Sequence, residues 1–413
     1  MRFSAEMFGG VGRALSSPYY RRYACGHIAN VFGWWGYRLG IGWLVWELTK
    51  SPGWLGIFVF AGMIPVTIAA PIAGALADRH GHRRVAMIAA TISGTVMLAT
   101  LLITAAGEMT VPLLLVLSIL QGIAFGTEFP ARQALIPQLV KRENVPAALA
   151  FNSTTFQVGT FLGPVLAGWL IHRWGSWAAL ALYAFSNYWM VLMLSILRYR
   201  PPPAEPKPPR GFFSEIGDGF RHIGEVPALR ILFAITIING ILLRPYLELM
   251  PGFAEAVFGG GPETLGMLTA ASGFGALAMG VFLAFRGRNR GLVRLMIAGI
   301  VSGSAGLAAF SATDDLHLGV GLLALSAFLM LACHIGAYSL VQNVVEPAMR
   351  GRVISVNIAI VIGGPAIGAM LIGWWAEVVG LQWALATAAV LAIVGILTLM
   401  PAIRKNAADM EKE

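Results

Sequence analysis

From residue 54 to residue 106 the chain reads WLGIFVFAGMIPVTIAAPIAGALA (54–77), DRHGHRR (78–84) and VAMIAATISGTVMLATLLITAA (85–106). Neither outer block holds a charged side chain, and the junction gathers Asp78, Arg79, Arg83 and Arg84. At 1.5 Å of rise per residue, about 20 apolar residues cross a ~30 Å hydrocarbon core. The stretch therefore reads as two membrane-crossing helices joined by a short basic loop. Similar blocks continue in both directions, at 23–46, 111–129, 145–171, 177–197, 229–249, 265–285, 292–312, 318–341, 353–375 and 383–400. A buried soluble core accounts for a few such blocks, not for a dozen in succession. Of the 413 residues, 57% are hydrophobic and 12% charged, where a soluble chain carries about 25% charged. The 49 glycines sit largely inside the blocks, which suits membrane helices packed through small residues. Unpaired backbone groups are costly in lipid, so each block is expected to be a continuous helix. The predicted fold is an all-α polytopic membrane protein of about twelve transmembrane helices.

Positive charge orients it. Of the 29 Lys and Arg residues, 25 fall on one side. They precede the first span (Arg2, Arg13, Arg21, Arg22) or sit in alternate loops (Arg79, Arg83, Arg84; Arg132, Lys141, Arg142; Arg286, Arg288, Arg290, Arg294; Arg350, Arg352). The others are in the middle (Arg198, Arg200, Lys207, Arg210, Arg221, Arg230) and in the tail (Arg404, Lys405, Lys412). Lys50 and Arg173 lie opposite, and Arg38 and Arg244 lie inside spans. Cytoplasmic loops attract Lys and Arg, so both termini are expected in the cytoplasm, in the inner (plasma) membrane. The +9 net charge then reports topology, and nucleic acid is not expected as a partner. The first 22 residues lack the short apolar stretch of a cleaved signal peptide. Cys25 and Cys333 are far apart and suggest neither a disulfide nor a metal site. No cofactor is expected.

A proline-rich run, RPPPAEPKPPR at 200–210, divides the chain almost in half as a stiff extended linker. Phe213, Ile216, Phe220 and Ile223 follow at helical spacing and suggest an amphipathic helix on the inner leaflet; a short extension of span seven is the other reading. The expected organisation is a cytoplasmic segment (1–22), a six-helix bundle (23–198), the linker with its helix (199–228), a second six-helix bundle (229–403) and a tail (404–413). The halves echo each other at an offset of roughly 205. Gly159, Gly163 and Pro164 recur as Gly364, Pro365 and Gly368; Gly168-Trp169 recurs as Gly373-Trp374; Gln133 and Pro137 recur as Gln342 and Pro347; Arg38 recurs as Arg244. Duplicated, pseudo-symmetric halves with a binding site between them are one transporter architecture.

The junction from Gly74 through Asp78, Arg79 and Gly81 to Arg83 and Arg84 resembles the loop signature of the major facilitator superfamily, at its place between spans two and three. Residues 129–137 (FPARQALIP) and 244–251 (RPYLELMP) resemble the branch of enterobactin exporters and macrolide-efflux proteins. The glycines and proline of span five resemble the antiporter signature. The resemblance implies transport by alternating access, with Gly74, Asp78, Arg79, Gly81, Arg83 and Arg84 forming an inner gate; a topology marker alone is the plainer reading. It also implies that spans one, four, seven and ten line the cavity. The chain departs from many drug/proton antiporters in one respect: Ser118, not arginine, stands three residues before Gln121-Gly122.

Ionisable groups at membrane depth are functional candidates by default. Glu128 and Arg132, four residues apart, could exchange a proton or simply form a salt bridge. Arg244 and Glu248 have the same spacing, and His334 is the remaining proton-coupling candidate. Asn30, Trp34, Tyr37, Arg38, Gln121, Asn239, Arg244 and Tyr338 would give an amphipathic, aromatic cavity wall suited to a bulky, partly apolar small molecule. Tyr37 is equally consistent with a membrane interface. No phosphate-binding Gly-Lys-Ser/Thr loop, zinc helix or other enzyme signature is present. The functional expectation is a proton-coupled exporter, monomeric and surrounded by membrane lipid. Uptake or flipping of an anionic lipid-like solute is one alternative, and a non-transporting membrane sensor is another.

Overall fold

The structure is a computed structural model that describes residues 9–197, 212–286, 291–346 and 349–411. The linker run at 200–210, Arg2, Arg288, Arg290, Pro347 and Lys412 lie outside the described residues. Helix is the only regular structure among the described residues. A short α1 (Gly9–Ser16) precedes the long helices α2 (Pro18–Thr49), α3 (Pro52–His80), α4 (His82–Ala105), α5 (Val111–Leu139), α6 (Val145–Trp174) and α7 (Ser176–Ser195). After the linker come α8 (Phe212–Glu225), α9 (Pro227–Ile238), α10 (Tyr246–Gly252), α11 (Pro262–Arg286), α12 (Leu292–Ser311), α13 (Leu316–Val344), α14 (Arg350–Val379) and α15 (Leu381–Met410). Eleven segments, with α9 through Val257 taken as one, are long and apolar enough to cross a membrane. The 32-residue α2 supplies a twelfth helix of spanning length.

Large apolar side chains face outward, as lipid permits and water does not. Ile72 is 65% exposed, Trp374 68% and Trp383 71%. Two compact units form: Met1–Leu48 with Ala61–Lys207, and Thr49–Phe60 with Pro208–Glu413. In the first, α4 packs on α5 and α7; in the second, α13 packs on α11 and α12, and α12 on α15. Close approaches occur where a side chain is missing. A Cβ on Gly122 would strike the Gly62 carbonyl, and one on Gly126 would lie 2.8 Å from the Val66 Cα, so α5 and α3 meet backbone to backbone.

Span seven departs from the expected continuous helix. After α9, residues Asn239–Leu243 adopt a π turn, the chain bends at Arg244-Pro245, α10 follows, and Phe253–Val257 is again π-helical. Pro245 and Pro251 supply no backbone N–H, which interrupts the i→i−4 ladder. Next to the bend, Leu247 N bonds the Arg244 carbonyl at 3.4 Å and Glu248 N the Pro245 carbonyl at 3.0 Å. These are i,i+3 bonds, a tighter turn than that of the expected continuous α-helix.

The linker helix also has a neighbour within the protein. α8 packs on α14: Asp218 Oδ2 lies 3.1 Å from Arg352 Nη1, a Cβ on Gly219 would come 3.0 Å from the Arg352 carbonyl, and Ile223 is buried. Phe220 faces outward, 56% exposed. Elsewhere in the second unit, the Glu411 carboxylate accepts from Gly291 N and Val293 N, both at 2.8 Å. It thereby caps the first turn of α12, where backbone N–H groups lack intrahelical partners.

Candidate functional site

Four residues of α5 make one helical turn, and this brings Glu128 and Arg132 onto one face. Arg132 Nη1 donates to Glu128 Oε1 at 2.8 Å, and the two residues are 4% and 1% exposed. Desolvating two such groups is costly unless they are paired. α2 lines the same place with Tyr20, Tyr23 and His27, and α6 with Asn152. The Tyr20 hydroxyl, with one hydrogen to share between them, lies 2.7 Å from the Ala148 carbonyl and 2.9 Å from Asn152 Oδ1. His27 Nε2 lies 3.4 Å from the Asn152 carbonyl, and its ring stacks on Tyr23 with centroids 6.0 Å apart. The Arg132 charge acts on both Tyr23 and His27, and that of Glu128 on Tyr23 and Tyr183. On one side this polar centre is closed by an apolar cluster that includes Ala131, Leu135, Leu139, Ala148, Met190 and Leu194.

Farther along α5 lies a polar and aromatic layer. Gln121 Nε2 donates to Ser93 Oγ at 2.7 Å and to the Tyr183 hydroxyl at 3.3 Å. Asn30 Nδ2 reaches Asn187 Oδ1 at 3.5 Å. Trp34 stacks on Phe125 with centroids 4.1 Å apart, and Tyr37 lies 5.2 Å from Tyr183. Tyr37 is thus buried among aromatic rings of the first unit. Arg38 sits 5.4 Å from the centre of the Trp35 ring, a cation–π geometry. Gly159 and Gly163 of α6 make room for Val31 and Trp35: a Cβ on Gly163 would be 2.7 Å from the Trp35 side chain.

At the signature loop, Gly81 has φ 88°, a conformation that favours glycine, and it turns α3 directly into α4. Asp78 is an exposed residue 3.4 Å from His82 Nε2, its neighbour across this turn. Arg83 Nε and Nη2 donate to the Leu194 and Ser195 carbonyls, both at 2.8 Å, and so cap the end of α7. Arg79 and Arg84 are exposed. Among the described residues, nothing lies within 4 Å of where a Cβ on Gly74 would stand; α3 and α5 meet nearer the middle of α3, at Gly62 and Val66.

In the second unit, Asn239 begins the first π turn, and its Oδ1 is buried with no hydrogen-bond partner among the described residues. With His334, Tyr338 and Asn357 it lines a small polar cavity. Tyr338 is 40% exposed. Gly364 and Pro365 of α14 face Gly240, and a Cβ on Gly368 would strike the Ile241 carbonyl, so α14 packs on the π segment. Lys50, in a left-handed conformation at φ 51°, holds the Glu255 carboxylate at 2.6 Å and 2.8 Å. The Glu377 carboxylate accepts from Gly53 N at 2.9 Å and from the Ser51 hydroxyl.

Sequence reasoning missed His27, Asn152 and Tyr183 around Glu128, and the Lys50–Glu255 and Ser51–Glu377 contacts. For Asn152 a signal existed. At the repeat offset of 205 it is matched by Asn357, while Glu128 falls at Cys333, next to His334.

Span-length helices in two units, with ionisable groups buried inside one of them, define a helical membrane transporter of the major facilitator type. Residues 14–413 match the transmembrane secretion effector family, and the chain belongs to it. It is 26% identical to the enterobactin exporter EntS of Citrobacter koseri over 340 residues, 79% of this chain and 76% of that protein. EntS of Escherichia coli O1:K1 / APEC is likewise 26% identical, over 335 residues. Among solved structures, the nucleoside transporter NupG superposes with a TM-score of 0.73 at 16% identity, covering 94% of this chain and 99% of that one. An inward-facing, unoccupied bacterial homologue of the human lysosomal transporter Spinster gives 0.74 at 15% identity, covering 96% and 99%. At these identities the two structures speak for the fold alone.

Proposed function

We propose that this protein is a proton-coupled secondary exporter of an amphipathic small molecule, drug- or siderophore-like, working by alternating access of its two helical halves with both termini in the cytoplasm of the cell. The observation that carries the reading is the Glu128–Arg132 pair. A carboxylate taken out of water beside a single cation is suited to alternate between charged and neutral forms when its surroundings change. The exporter relatives support the direction and the kind of solute.

Proteoliposomes test it. A panel of siderophores and macrolides is screened for counterflow, then for accumulation driven by an imposed pH gradient. Glu128→Gln is expected to lose the gradient-driven accumulation while keeping downhill exchange, because the neutral side chain still permits the loaded protein to change state. Equal gradient-driven accumulation by wild type and Glu128→Gln would remove Glu128 from the coupling. Counterflow with no solute would favour a sensor over a transporter.

A further inference from the structure

Among the described residues, four polar atoms around the Glu128–Arg132 pair have no hydrogen-bond partner: His27 Nδ1, Glu128 Oε2, Arg132 Nε and Asn152 Nδ2. Their residues are 7%, 1%, 4% and 6% exposed. An orphaned buried donor or acceptor is costly, the more so when charged, so such atoms on Arg132, on the carboxylate it bonds and on a histidine within reach of its charge call for an occupant. Hydrogen-bonding capacity indicates which. A backbone carbonyl only accepts, so His27 Nε2, facing the Asn152 carbonyl, carries the ring hydrogen and leaves Nδ1 as an acceptor. Arg132 Nε only donates, and Glu128 Oε2 accepts when ionised. With Asn152 Nδ2 as a second donor, two donors and two acceptors are the complement of a water molecule that accepts twice and donates twice. Buried waters make about two to four such bonds.

We propose that Glu128, Arg132 and His27 hold a shared water inside the N-terminal bundle, and that His27 is the second station of the coupling proton, reached from Glu128 through that water. The inference rests on the proton-coupled reading and deepens it. The step balances. The Glu128 carboxyl O–H breaks as the water takes that proton and gives one of its own to His27 Nδ1, leaving a carboxylate and an imidazolium with no change in net charge. The titratable and charged groups facing this place are Tyr20 and Tyr23 from α2, Glu128 and Arg132 from α5, and Tyr183 from α7; α6 contributes the neutral Asn152. In the second unit His334 and Asn357 line one cavity, Asn357 at the repeat position of Asn152 and His334 one residue beyond that of Glu128.

The test is a pH titration of the full-length protein in lipid nanodiscs, with 15N-labelled histidine and no solute. The His27 resonance is identified by its loss in His27→Gln. Two groups coupled through one water titrate as a pair, in shared macroscopic steps. The wild-type His27 signal is therefore expected to move in two steps, and Glu128→Gln to lose one of them, with Glu128→Asp restoring it. Identical curves in wild type and Glu128→Gln overturn the proposal. If Glu128→Gln does not fold, the 13C-labelled Glu128 carboxyl answers from the other side: two steps in the wild type, one in His27→Gln, with no difference again overturning it. These spectra need no transported solute. A coupled pair in a protein without pH-driven flux would support the shared site and overturn the coupling role of His27.

Discussion

At the scale of single residues, Glu128 and Arg132 form an ion pair buried inside the first unit. Its worth is not the 2.8 Å contact alone but the cost of leaving either partner without the other. Removing one member of such a pair costs about 3–5 kcal/mol, whereas replacing both by apolar groups of similar volume is often neutral. Arg132→Met is thus expected to lower the thermal midpoint of the purified protein, and Glu128→Leu with Arg132→Met to recover most of the loss. Thermal unfolding in one detergent measures both; a double variant no more stable than the single one would mean that the pair is not the source of the effect. The four-residue spacing made this contact legible in the sequence. Its depth was not legible, because the residues that seal it, Tyr23, Ala148 and Met190, come from three other helices. His27 was invisible for a related reason: a lone histidine in an apolar block has no spacing to give it away.

Among the helices, glycine position rather than glycine abundance decides packing. α5 presents Gly122 and Gly126 to the backbone of α3, and α6 presents Gly163 to Trp35. Gly122→Ala is expected to push α5 off the Gly62 carbonyl and to destabilise the protein by about 1–3 kcal/mol, the usual cost of overpacking. Gly74→Ala, with open space around it, is expected to leave stability unchanged or slightly raised, since alanine suits a helix better. Thermal midpoints of the two variants check this pair, and equal losses would contradict the assigned contacts. The break in span seven belongs to the same scale. Its prolines were visible in the sequence, yet a π turn or a kinked α-helix accommodates a proline about as well. α14, packed on Gly240 and Ile241, is the neighbour found against the π form. Likewise the amphipathic pattern of α8 marked a helix with one apolar side, and only the Asp218–Arg352 pair and the close approach at Gly219 showed that protein covers part of it.

For the molecule as a whole, the distribution of charge carries the orientation. Gly224, exposed on α8 with nothing within 4 Å of its Cβ position, should report the cytoplasmic side, and Glu108, between α4 and α5, the opposite one. In a background with Cys25→Ser and Cys333→Ala, Gly224→Cys is expected to resist an impermeant maleimide in intact cells and to react in inverted vesicles. Glu108→Cys is expected to show the reverse. Ready labelling of Gly224→Cys in intact cells would overturn the topology and, with it, the direction assigned to transport.

What residue order determined by itself was the membrane class, the number of spans, the duplicated halves and the family signature at residues 74–84. These follow from local sums: the transfer free energy of a 20-residue window and the charge of the loop beside it do not depend on which helix lies next door. The tertiary structure decided the rest. Arg83 finds its acceptors 111 and 112 residues away at the end of α7, and Glu411 caps a helix 118 residues before it. Asn152 meets Tyr20 across 132 residues. In lipid the apolar surface is satisfied almost anywhere, so hydrophobic pattern alone does not choose neighbours. The choice falls to close backbone contact at particular glycines and to buried polar groups that must find partners, and both depend on residues brought together only by the packed bundle.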